Sequence, residues 1–152
     1  MTFLTRLMRR LYTRVPVQAS PPPPPAPTPQ PALTGYDRLE VQAVLIDHLE
    51  WCVAFNEHLR TDPTSTTPHA PLPGPADSGL GRWLAKAMAR GDGPQALLEA
   101  LQAEYQQFHH VANQALSLAR ADQMHLASTL LNTDFERSRA RVLQMLRLLQ
   151  RG

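Results

Sequence analysis

Nine prolines stand at positions 16, 21–25, 27, 29 and 31. Proline fixes φ and removes a backbone donor, which closes this stretch to helix and to inner strand alike. Residues 16–33 therefore read as an extended polyproline-II linker. Its PxxP spacings would suit SH3-like or WW-like grooves, but any such tract contains them by chance, and a semi-rigid spacer is the plainer reading. Whatever folds must do so on either side of it.

On the amino-terminal side, Leu4, Leu7, Met8, Leu11 and Val15 recur at helical spacing, with Arg6, Arg9, Arg10 and Arg14 filling the rest of the turn. Residues 1–15 thus read as a short basic amphipathic helix. The arginines interrupt every apolar run, so the segment is neither a membrane span nor a secretory signal. A transit peptide, a helix lying peripherally on an anionic membrane surface, a helix in a partner's groove and a frayed terminus all remain open. This head carries +4 of a chain whose net charge is +2, leaving −2 for the remaining residues. A basic chain overall is thus a basic head on a slightly acidic fold, and nucleic acid is not an expected partner.

Beyond the linker, residues 34–152 follow a helical pattern. A first helix over 39–60 places Val41, Leu45, His48, Cys52, Phe55 and Leu59 at alternating steps of three and four. Residues 61–79 contain Pro63, Pro68, Pro71, Pro73 and Pro75 and read as a loop. A short helix over 80–90 ends at Gly91, and Pro94 suits the first turn of the next. That helix, 95–120, carries Leu98, Leu101, Tyr105, Phe108, Ala112 and Leu116 on one side. The last, 122–149, is expected to bury Met124, Ala127, Leu131, Phe135, Val142, Met145 and Leu149. No run has strand periodicity. The expectation is an all-α four-helix bundle, three long helices and one short, closing a single core.

Polar side chains on the apolar stripes carry the chemical information. His48 lies inward with Cys52 one turn on, and Tyr105 and His109 are one turn apart around Phe108. Histidines facing one another across helices are how bundles build metal sites, although a lone inward histidine is more often a hydrogen-bonded core residue. Trp51 and Trp83 read as core packing. His58, His69 and His125 fall near a helix end, in the proline-rich loop and in a first helical turn, all surface positions. The arginines from Arg137 to Arg151 read as a solvated helix face. One cysteine excludes a disulfide framework. No glycine-rich phosphate loop, nucleophile–base pair or inward carboxylate pair is present, so an enzyme is not expected.

Three local phrases go further. Asp47-His48-Leu49-Glu50-Trp51, then Ser78-Gly79-Leu80-Gly81-Arg82-Trp83-Leu84, then Tyr105-Gln106-Gln107-Phe108-His109 resemble the chemoreceptor zinc-binding (CZB) domain family. They correspond in order and spacing to that family's H-x-x-W, C-x-L-G-x-W and H-x-x-F-H motifs, and the resemblance covers about residues 36–149. It implies a four-helix bundle holding one zinc through three histidines and one cysteine. It also implies regulation of a signalling partner, such as a chemoreceptor or diguanylate cyclase, in the bacterial cytoplasm; contact with the inner face of the membrane would come from residues 1–15.

Carried over by position, His48 and His109 fall on two histidine ligands, and Asp47 stands where a carboxylate could orient a ligand imidazole. Ser78 stands at the cysteine position and Tyr105 at the middle histidine. A neutral hydroxyl and a phenol with an ordinary pKa near 10 are poor zinc ligands. Cys52 and His110 are the two side chains that could replace the missing donors. The plainer readings are a small buried apolar residue for Cys52 and an outward position for His110. Three outcomes are open: a weakened zinc site, one relocated onto Cys52, or a decayed one in which Ser78 and Tyr105 hydrogen-bond the two histidines. The functions that follow are a non-enzymatic sensory or regulatory module with an altered metal site, or a metal-free adaptor tethered by its amino-terminal helix.

Overall fold

The computed structural model describes residues 37–62, 64–66, 69–91 and 93–151. The basic amphipathic segment 1–15 and the proline-rich linker 16–33 lie outside the described residues. Among the described residues four helices follow in order: α1, Arg38–Arg60; α2, Gly79–Arg90; α3, Gln95–Arg120; and α4, spanning 124–151. α4 is α-helical over Met124–Leu130 and Glu136–Arg151, with a π-helical segment Leu131–Phe135 between. Among the described residues there is no strand, and no helix is long and apolar enough to cross a membrane.

Local chemistry sets the boundaries. The Asp37 carboxylate accepts from Leu39 N at 3.0 Å and caps α1, with Glu40 in the first turn and Arg60 in the last, each complementing the helix dipole. Ser78 caps α2 by accepting from Gly81 N at 3.1 Å. Gly91 ends α2 in the left-handed region, φ 68°, a conformation that costs glycine little. Pro94 starts α3 with a fixed φ and no donor to leave unsatisfied. Asp122, φ 59°, turns the chain into α4.

α3 lies against α2 and α4, and α1 packs on α2, α3 and α4. The core is a run of rings. Trp51 stacks on Phe55 (centroids 5.5 Å apart), Phe55 on Phe135 (5.0 Å), and Phe108 meets Phe135 (5.1 Å) and Trp51 (5.3 Å). Leu98, Leu101, Tyr105, Phe108, Ala112 and Leu116 are all buried, as the α3 pattern requires, and His109, Val111 and Ala115 widen that face.

Two faces differ from expectation. On α1, Val44 and Trp51 are buried and Leu45, Cys52 and Leu59 only half-buried. The inward face is thus centred on Val41, Val44, His48, Trp51 and Phe55. On α4, Met124 is 47% exposed. It sits in the first turn after Asp122, at the rim of a surface cleft that it lines with Leu59 and Leu116. Leu131 and Met145 are half-buried, and Ser138 and Leu146 are buried. The wider π turn at 131–135 interrupts the even α-helical phase on which the expected face rested.

Candidate functional site

His48, Ser78, Tyr105 and His109 are all buried, between 1% and 3% exposed. Helix α1 brings His48 inward between Val44 and Trp51. Ser78 is placed by its capping of α2. Tyr105 and His109 share one face of α3. Their side chains meet: the Tyr105 ring lies 4.6 Å from that of His109 and 5.8 Å from that of His48. The Ser78 and Tyr105 hydroxyl oxygens are 2.5 Å apart. Trp51 sits edge-on to His109 at 4.6 Å, and Phe108 to His48 at 5.0 Å.

The glycines of the middle motif are dictated by this closeness. A Cβ on Gly79 would run into the Asp47 carboxylate, and one on Gly81 into the carbonyl of Pro75. Asp47 therefore lies against the first turn of α2. A shallow cleft of about 370 Å³, lined among others by Asp47, Trp51, Pro73, Ser78 and Arg82, opens above it. The Trp51 indole N–H donates to the Pro73 carbonyl at 2.9 Å and ties the loop over the site.

Hydrogen bonding divides the four residues unequally. Ser78 and Tyr105 bond one another and not the histidines. His48 Nδ1 and His109 Nε2 are buried and make no hydrogen bond. Cys52 Sγ lies 4.0 Å from His48 Nε2, the other nitrogen of that ring. The thiol is half-buried and His110 is exposed.

The electrostatics are those of an uncharged pocket. Burial lowers the pKa of His48 to about 4, helped by the charge of Arg139 and opposed by Asp47. Burial lowers His109 to about 4 as well, with His48 adding to the effect. Burial pushes Tyr105 up to about 12 against the hydrogen bond with Ser78, with Asp47 and Cys52 raising it further. Burial raises Cys52 to about 11, with Arg139 pulling down and Glu136 pushing up. At neutral pH both imidazoles, the phenol and the thiol are neutral.

This donor set does not fit the zinc that the motif resemblance implies. A structural zinc takes four N, S or O donors, with thiolate or carboxylate balancing its charge. Here two neutral imidazoles offer nitrogens, two hydroxyls are engaged with each other, and burial keeps the only thiol protonated, with its pKa pushed up to about 11. Among the described residues, no group of three or more His, Cys, Asp and Glu side chains could hold a metal ion.

Sequence reasoning missed two neighbours of the site. Ser138 donates to Glu104 Oε1 at 2.7 Å, linking α4 to α3. Arg139, paired with Glu136 at 2.7 Å, places its charge near His48 and Cys52. Both depend on contacts between helices more than 30 residues apart, and no local motif marks them. No family model matches the chain, and no curated protein or solved structure matches it either.

Proposed function

We propose that this chain is a non-enzymatic regulatory bundle of the CZB type, in which the metal position has been rebuilt as a hydrogen-bonded core. It acts through contacts with a signalling protein, such as a chemoreceptor or diguanylate cyclase. The observation that carries this reading is the Ser78–Tyr105 hydroxyl pair. The two residues that depart from the resembling motifs satisfy each other, so the core closes without an ion. The basic segment 1–15 supplies localisation in this reading, at an anionic membrane face or on the partner itself.

A second reading rests on His48 Nδ1 and His109 Nε2, which keep two buried nitrogens without partners. They favour a bundle that still senses a small ligand in its core.

The test is zinc retention by the full-length protein after gel filtration in chelator, beside the double variant S78C/Y105H, which restores the family's donors. The expected result is no retained zinc and an unchanged melting temperature for the natural chain. The variant should retain about one equivalent and melt lower once stripped. Retention of one equivalent by the natural chain, lost in His48→Ala, would overturn the rebuilt-core reading.

A further inference from the structure

A second pair of histidines lies away from the core, where the carboxyl-terminal end of α1 meets the proline-rich loop. His58, on the last turn of α1, is half-buried, and His69, on the loop, is exposed. Their ring centroids are 5.5 Å apart, with the planes tilted by 51°.

Hydrogen bonds determine which nitrogen of each ring is free. His58 Nε2 lies 2.9 Å from the Ala70 carbonyl, which can only accept, so Nε2 of the neutral ring carries the proton. The Thr61 hydroxyl donates its single proton to the Glu57 carbonyl at 2.8 Å. His69 Nε2, 2.9 Å from that same hydroxyl, must then be the donor to it. Both neutral imidazoles are therefore Nε2–H tautomers, and each has its lone pair on Nδ1.

Metal-binding histidines typically donate one ring nitrogen to a carbonyl or hydroxyl, as both of these do, and leave the other for the ion. An ion held by two imidazoles at about 2.0–2.1 Å with a near-tetrahedral angle sets the centroids roughly 5 Å apart. The observed separation is close to that value.

We propose that His58 and His69 form a two-imidazole site for an exchangeable divalent transition-metal ion, with water completing the coordination. Imidazole donors select zinc, nickel or copper over magnesium and calcium, which require oxygen. The ion clips the loop to α1 across the ten residues that separate its two ligands, so its binding energy goes into holding the loop that also carries Pro73 and Ser78. The site is independent of the core histidines, and it stands or falls separately from the rebuilt-core reading.

The test is calorimetric titration of the full-length protein with Ni²⁺ in chelator-free buffer at neutral pH, with thermal melting in parallel. One equivalent should bind and raise the melting temperature. His58→Ala and His69→Ala should each abolish both effects, and the exposed controls His110→Ala and His125→Ala should retain them. Thr61→Val, which removes the hydroxyl holding His69, should weaken binding by about tenfold or more. Absence of binding, binding that survives His69→Ala, or binding lost in His110→Ala or His125→Ala would each overturn the proposal.

Discussion

The hydroxyl of Ser78, at the start of α2, and that of Tyr105, in the middle of α3, are 2.5 Å apart in the core of the bundle. The same Ser78 oxygen accepts from Gly81 N. One serine thus caps a helix and satisfies a buried phenol.

The two partners should therefore not be equivalent on truncation. Tyr105→Phe removes one hydrogen bond and leaves Ser78 with its capping role, at a cost of about 1 kcal/mol. Ser78→Ala removes the cap and leaves a buried phenol unpaired, at a cost of about 2–3 kcal/mol. Urea denaturation of both variants checks the order. Equal losses would mean that the cap contributes nothing beyond the hydroxyl pair.

Acid should weaken the fold through His48 and His109. Their folded pKa of about 4 lies below the ordinary 6.5, so the unfolded chain binds more protons between those values. Stability then rises with pH across that window: the contribution is complete above 6.5 and is lost as pH falls toward 4. One such imidazole is worth about 3 kcal/mol over the whole range. Denaturation midpoints measured from about pH 7 to about pH 5 should fall, and should fall less in His109→Phe. A flat profile over that span would contradict the neutral pocket.

Gly79 and Gly81 should differ in their tolerance of a methyl group. At Gly79 the obstacle is the Asp47 carboxylate, the end of a side chain that can swing away. At Gly81 it is the Pro75 carbonyl, part of the backbone. Gly81→Ala should cost about 1–3 kcal/mol by overpacking, and Gly79→Ala clearly less. Thermal melting of the pair decides it, and the reverse order would mean that the loop gives way more easily than Asp47.

Phe108 touches Trp51, Phe135, His48 and Tyr105 and is fully buried. Phe108→Ala should lose about 3–5 kcal/mol, and Phe108→Leu appreciably less. Both can be read by chemical denaturation. A small loss in the alanine variant would show that the ring cluster collapses around the vacated space.

The fold was legible where local signals agreed. Gly91 ends α2, Pro94 starts α3, and an apolar stripe of constant phase identifies the inward face of α3. Helix α1 was harder because it is apolar nearly all round, with Leu39, Ile46, Leu49 and Val53 exposed on its outer side. Periodicity alone therefore could not centre its face on Val44 and Trp51. The π segment left only a faint trace, the Thr129 and Thr133 hydroxyls that bond to carbonyls one turn back, a habit that bends helices. At the site, the motif phrases located the four buried residues. Which hydroxyl would bond which partner depended on the spacing of α2 from α3, and that distance is not written in either helix alone.

The loop after α1 doubles back along the helix that precedes it. It is fastened by the His58 imidazole to the Ala70 carbonyl and by the Trp51 indole to the Pro73 carbonyl. Both donors belong to the helix, seven residues apart, and both acceptors are main-chain oxygens that any residue would provide. The instructions for the loop's course are thus carried by α1, while side chains at 70 and 73 are free to drift. Relatives of this chain would be better recognised by a tryptophan and a histidine two helical turns apart than by any similarity in the loop itself.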